Sequence, residues 1–257
     1  FAAGSMLPVN VIKGESSFSS VIWAATDKQG AYTGVMLLQG YSPVKISPHW
    51  LDRLIEAEVA PPSIRAYTRS HGGHVFYKIS GTSFTAAYNT VTGAWHEEKG
   101  YGLSRSRIQA YAYFGAKHIL GDYANGKLYE SRSTDYAEAD NHLILTIQPP
   151  IVHAYPHQLK VDALFLDVVP GVGLGASGAA ADITPVIMID YSQNGGVSFE
   201  AQRTAEVGTQ GQTLTTITER IFGLMHKNGV TFRFSFSAAV IKAVIGAAID
   251  AITVPGR

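Results

Sequence analysis

Three stretches of the chain repeat one pattern at a fixed period. Val21-Ile-Trp-Ala-Ala-Thr, Ile64-Arg-Ala-Tyr-Thr-Arg and Ile108-Gln-Ala-Tyr-Ala-Tyr begin 43 and 44 residues apart. Each is followed by a turn carrying glycine (Gly30, Gly72-Gly73, Gly115) and then by a second apolar run: Gly34-Val-Met-Leu-Leu, His74-Val-Phe-Tyr-Lys-Ile and Lys117-His-Ile-Leu. A third run closes each unit, over residues 42–47, 82–88 and 127–131, and the middle unit adds Asn89-Thr-Val-Thr-Gly-Ala-Trp95-His. A sheet of three or four short strands with its turns uses roughly 40–45 residues, the period of a β-propeller blade. The repeat therefore predicts about three blades before residue 150. Propellers typically close with about 4–8 blades. Because the first residue is Phe rather than Met, the chain reads as a processed or partial piece of a longer product, or as one with foreign residues before Met6.

Near Gln148-Pro-Pro150 the pattern changes, which places a domain boundary there: blades over 1–150, and a separate module over 151–257. Candidate strands in the second module are 158–169, 185–192, 197–206, 214–220, 223–226 and 230–237. The last alternates, with Phe232, Phe234 and Phe236 on one face and Thr231, Arg233, Ser235 and Ser237 on the other, the pattern of a strand buried on one side. Several such strands separated by polar turns predict a β-sandwich or jelly roll. Residues 238–254 carry apolar spacing that suits a helix and a β-branched density that suits a buried strand; the strand is favoured. The Gly/Ala-rich stretch 171–181 reads as a loop. One helix is expected, Trp50 to Val59, with Leu51, Leu54, Ile55 and Val59 at spacings of three and four, stopped by Pro61-Pro62. The fold class is thus all-β.

Composition narrows the function. With 20 basic and 20 acidic side chains the formal charge is zero, which argues against a cationic surface that tracks phosphates. The absence of cysteine removes disulfides, thiolate metal sites and Cys nucleophiles. The longest apolar stretch, 238–254, is interrupted by Lys242 and Asp250 and falls short of the ~20 residues of a membrane helix, so no membrane partner is expected.

Ser192-Gln-Asn194-Gly195-Gly196-Val-Ser198-Phe199 has the form of the Asp-box hairpin found in sialidases and other β proteins. Its chemistry is local: Ser and Asn oxygens take up turn amides, the glycines supply positive φ, and the aromatic packs beneath. These residues are read as a structural turn. Gly171-Val-Gly-Leu-Gly175 lacks the following helix of a dinucleotide loop. The nine histidines form no metal-ligand pattern, so His71 and His74 are read as turn residues and His153 and His157 as junction residues. Glu97, Glu98, Asp135, Glu138 and Asp140 are read as solvated loop charges. Arg65, Arg69, Arg105, Arg107, Lys117, Lys127 and Arg132 interleave with Tyr67, Tyr111, Tyr113, Tyr123 and Tyr129, a mixture suited to a protein interface or to a local patch touching nucleic acid. At zero net charge the interface is favoured. No catalytic, cofactor-binding or metal-binding residue is assigned, and no cofactor is expected.

Several runs together carry a family resemblance: Val21 to His49 with Gly40-Tyr-Ser-Pro-Val-Lys-Ile-Ser47, His74-Val-Phe-Tyr, Tyr88-Asn-Thr-Val-Thr-Gly-Ala-Trp95-His-Glu, Gly115 to Glu130, and Tyr191-Ser-Gln-Asn-Gly-Gly196. In this order and spacing the chain resembles the packaged-DNA stabilization proteins of short-tailed, P22-like bacteriophages, over about residues 15–253 and corresponding to the carboxy-terminal portion of that family. It departs in lacking an amino-terminal portion, in the loop at 171–181, and in Ser198-Phe199 where members often carry Thr-Trp. The resemblance implies a structural virion protein, not an enzyme, assembled in the host cytoplasm. It implies a homo-oligomeric ring, typically of six copies, below the portal and its adaptor. That ring helps to retain packaged DNA through at most weak channel contacts and anchors the tail needle and tailspikes. The alternative is a carbohydrate-binding or carbohydrate-active propeller, motivated by the Asp-box form and by the 3 Trp and 13 Tyr.

Overall fold

The structure is a computed structural model describing residues 7–13, 16–26, 32–58, 63–138, 141–175, 178–213 and 216–255. It is all-β, in antiparallel sheets, and divides into two compact units, residues 1–134 and 135–257.

The first unit is three successive meanders. Strands β1 (Leu7–Lys13), β2 (Ser16–Thr26), β3 (Tyr32–Gln39) and β4 (Ser42–Lys45) form one sheet in chain order. Strands β5 (Arg65–His71), β6 (His74–Ser80), β7 (Thr85–Asn89) and β8 (Trp95–Glu97) form the second. Strands β9 (Ile108–Phe114), β10 (Lys117–Asp122) and β11 (Leu128–Ser131) form the third. The repeat thus maps onto β2, β5 and β9 as first strands, and β3, β6 and β10 as second strands. Strand β1 has no counterpart in the repeat. The hairpin turns Gly72-Gly73 (φ 57° and 79°) and Gly115-Ala116 (φ 57° and 61°) have both central residues in the left-handed region, which matches the twist of the strands they join.

Adjacent blades pack through their apolar faces. Ile22, Ala24 and Val35 of the first meet Tyr77, Ile79, Ala86 and Tyr88 of the second, joined by Leu51 and Ile55 of helix α1 (His49–Glu56). Trp95 bridges the pair, donating from Nε1 to the Ile46 carbonyl at 2.7 Å. The helix ends sooner than its periodicity predicts. Glu58 leaves the helical path to accept hydrogen bonds from Ser63 Oγ (3.1 Å), the Thr82 amide (2.8 Å) and Thr82 Oγ1 (2.7 Å), which ties it to the β6–β7 turn. Val59 and Pro61-Pro62 lie outside the described residues. A smaller core of Tyr67, Ile108 and Leu120 joins the second and third blades.

The second unit is a sandwich. After the short pair β12 (Ala137–Glu138) and β13 (Asn141–His142) come β14 (Leu145–Ile147), β15 (Gln158–Val168), helix α2 (Ala180–Ile183), β16 (Val186–Ser192), β17 (Glu200–Glu206), β18 (Ile217–Leu224), β19 (Thr231–Phe236) and β20 (Val244–Val254). One sheet runs β14-β19-β16-β17 and the other β18-β15-β20. Leu164 and Leu166 of β15 meet Ile187 and Ile189 of β16 and the three phenylalanines of β19 in one core. Thr231, assigned by alternation to the wetted face, is buried, and its hydroxyl donates to the Pro149 carbonyl at 2.9 Å. Strand β14 pairs with β19, Leu145 opposite Phe236, so residues 135–150 belong with the sandwich rather than with the blades. The two strands expected at 214–226 are one strand, β18, bent where Ile221 (φ 65°) and Gly223 (φ 84°) turn left-handed. In the Gly/Ala-rich loop, a Cβ on Gly173 would lie 2.3 Å from the Ile183 carbonyl oxygen, a close approach that only glycine allows.

Candidate functional site

The Asp-box-like turn joins β16 to β17. Ser192, fully buried, accepts the Gly196 amide at 2.9 Å and the Asn194 amide at 3.3 Å, and donates to Asn194 Oδ1 at 2.8 Å. Asn194 Oδ1 accepts the Ser198 amide at 3.0 Å while its Nδ2 donates to Ser198 Oγ at 2.7 Å. Gly195 (φ 76°) and Gly196 (φ 87°) supply the left-handed backbone. Phe199 lies beneath Arg233, whose guanidinium carbon is 3.8 Å from the ring centroid and whose Nη2 is 2.7 Å from Asp190 Oδ2. The polar atoms of Ser192, Asn194 and Ser198 are consumed by one another and by turn amides. Their chemistry is to close a hairpin.

The seam between the second and third blades carries denser chemistry. Strand register sets Tyr67 opposite Lys78, Arg69 opposite Phe76 and His71 opposite His74. Within the third blade, register sets Tyr113 opposite His118 and Tyr111 opposite Leu120. The rings form a ladder: Tyr67 stacks on Tyr111 (6.3 Å between centroids), Tyr111 on His118 (5.8 Å), and His118 meets Tyr113 (5.1 Å). The Tyr111 hydroxyl lies 2.9 Å from His118 Nδ1. The ladder runs from buried Tyr67 through half-buried Tyr111 and His118 to Tyr113, which is 63% exposed. Interleaving of basic and tyrosine residues singles out Tyr111 and Tyr113 but not their partner His118. Hairpin geometry was the available signal, since Tyr113 and His118 flank the Gly115-Ala116 turn symmetrically.

The basic side chains interleaved with these tyrosines are largely occupied within the unit. Arg69 donates to Ser131 Oγ at 2.8 Å, and Arg105, 5% exposed, donates to the Gly81 carbonyl at 2.7 Å while lying 4.3 Å from the Tyr123 centroid. Arg107 lies 3.6 Å from Asp122, and Lys117 and Arg132 each lie 3.1 Å from Glu130. Arg69 and Arg105 tie the second blade to the third, whereas the pairs of Arg107, Lys117 and Arg132 lie within the third blade.

Two readings of charged residues change with the geometry. Glu98 is not a solvated loop charge: it sits 2.7 Å from Lys78 and 3.3 Å from His96, with a quarter of its side chain exposed. Burial alone would push its carboxyl up, but the Lys78 charge, with hydrogen bonds from His96 and Lys78, holds the pKa at about 2. Glu97 remains exposed, and Asp140 lies outside the described residues. His74 is no bare turn residue either, with its Nδ1 beside the Asn89 side-chain amide, 3.0 Å from Nδ2. His71 is held below the usual imidazole range by burial and by the charges of Arg69, His118 and Lys78. Among the described residues no group of three or more His, Cys, Asp or Glu side chains could hold a metal ion, and no helix is long and apolar enough to cross a membrane.

No family model matches the chain, and no curated protein matches it. Among solved structures, an exo-β-1,3-galactanase from Phanerochaete chrysosporium, determined with galactose, aligns over 96% of this chain and 69% of its own, at 12% identity and a TM-score of 0.26. This corrects the expectation that the chain is not an enzyme, which does not stand beside a glycoside hydrolase as structural neighbour. At that TM-score the likeness carries no argument for a particular activity and transfers no site residue.

Proposed function

We propose that the chain is a structural subunit of a bacteriophage tail hub, forming a ring of copies below the portal adaptor. The observation that carries this reading is the ordered run of motifs from Val21 to Gly196. Its segments fall on blade hairpins and on the closed turn after β16. Two β units with separate cores and internally paired charges suit a rigid wall beside DNA, because strong phosphate contacts would slow its passage. The test is to mix the purified chain with a portal adaptor, weigh the assembly by native mass spectrometry and image it by negative stain. Rings bound to adaptor are the expected result. Free chains with no adaptor binding would overturn the reading.

A second reading, carbohydrate recognition, is favoured by one observation, the exposed face of Tyr113 backed by His118, Tyr111 and Tyr67. Aromatic faces held rigid in this way suit the apolar face of a sugar ring. A glycan array with Tyr113→Ala beside the parent, together with a glycosidase panel, separates the two readings. A signal lost in the variant demotes the hub, whereas a blank array removes the sugar.

A further inference from the structure

Sheet edges in the sandwich are treated unequally. Strand β14 is three residues long, and β17 carries Glu200, Arg203 and Glu206. Strand β18 carries Glu219 and Arg220 and is bent at Ile221; Arg203 covers its backbone, donating to the Arg220 carbonyl at 2.5 Å and the Ile221 carbonyl at 2.9 Å. Shortness, charge, bends and covering side chains are the devices that keep an edge from pairing with another chain. Strand β20 has hardly any of them. It is eleven residues long, Val-Ile-Gly-Ala-Ala-Ile-Asp-Ala-Ile-Thr-Val, carries one charge, Asp250, and among the described residues ends its sheet with β15 as its one neighbour. Its register slips against β15 twice, once on its own side between Val244 and Gly246 and once where Asp162 of β15 bulges opposite Asp250 and Ala251, which leaves the outer edge of β20 regular from Gly246 onward. Ile245 is 66% exposed and Ile252 56%.

We propose that this edge pairs with the β20 of a second copy, antiparallel and centred on Ile249. That register places Ile249 on the two-fold axis. There Ala247 meets the second copy's Ala251, and Ile249 meets itself. On the outer face Gly246 makes room for Ile252, and Ala248 lies opposite Asp250. Each large side chain there faces a small one, and no charge faces its like. Centring on Asp250 instead would set two carboxylates directly opposite each other, which is destabilising. Ile249 and Ala251 already pack on the sandwich core, so their row extends that core across the two-fold axis. The product is a continuous sheet β18-β15-β20 joined to its symmetry copy, six strands within the usual range. Such a two-fold contact is self-complementary and is distinct from the head-to-tail contact of a ring. It stands independently of the tail-hub reading, whose failure would show in adaptor binding instead.

The register makes the test directional. Ala248 is exposed, opposite Phe165 of β15, so a polar side chain there leaves the core alone. Ala248→Lys places a cation opposite the second copy's Asp250 twice over; Ala248→Glu places like charges there. Sedimentation equilibrium of the full chain across a concentration series is expected to show a monomer–dimer equilibrium. Its dissociation constant should fall roughly threefold to tenfold in Ala248→Lys and rise by a similar factor in Ala248→Glu, the size of two cross-strand charge pairs. Amide exchange in β20 should slow as the dimer fills. Monomers throughout, in the parent and in Ala248→Lys alike, would overturn the proposal. So would a dimer that responds identically to both substitutions, or one that forms without protecting β20.

Discussion

Glu98 shows how one carboxylate changes meaning with its surroundings. In sequence it is the second of two glutamates after a tryptophan; in the fold it is the counterion of Lys78, itself 9% exposed. Its folded pKa of about 2 lies below the ordinary glutamate value, so the pair stabilises the fold fully above about pH 5 and the contribution disappears as pH falls toward 2. Glu98→Gln is therefore expected to cost about 2 kcal/mol at pH 7, by loss of the charge partner of a buried lysine, and close to nothing near pH 2. Urea midpoints of parent and variant across that range check it. Ser192 behaves differently because its partners do not titrate. Ser192→Ala should lower stability by about 1–2 kcal/mol, with unchanged urea dependence, since it strands the Gly196 amide. The role of Ser192 follows from local spacing, because every partner lies within six residues. The role of Glu98 does not, because Lys78 is twenty residues away on another strand.

Among elements, strands and turns were legible and their seams were not. Period, glycine turns and alternation locate β2, β3, β5, β6, β9, β10, β15, β16 and β19, since those signals come from residues adjacent in the chain. Strand β1 escaped because it stands outside the repeat, and β18 was split because its bend at Ile221 looks like a break in the pattern. Seam residues report on neighbours the sequence does not name. Trp95→Phe keeps the ring packing against Tyr88 but removes the Nε1 donor to the Ile46 carbonyl. It is expected to destabilise the first unit by about 1–2 kcal/mol, read as a lower thermal midpoint. Phe234→Ala opens a cavity in the middle of the sandwich core and should cost about 3–5 kcal/mol, measured by chemical denaturation followed by circular dichroism.

For the molecule as a whole, zero net charge combines with internal pairing of the arginines in the third blade. Double-stranded DNA should consequently bind weakly at physiological salt, with a shallow dependence of affinity on salt; a mobility-shift series from low to physiological salt measures it. A steep salt slope would reveal a basic surface that the pairing does not account for. The sequence by itself determined the β class, the blade period, the alternating core of β19 and the closed turn at Ser192, all set by the spacing of side chains along a pleated backbone. The tertiary structure decided which unit residues 135–150 join, which charges are buried, which rings form the Tyr113 ladder and which strands stand at the ends of their sheets among the described residues. Those depend on pairs of residues brought together across sheets, and a pairing between distant strands leaves no mark in the local spacing of either one.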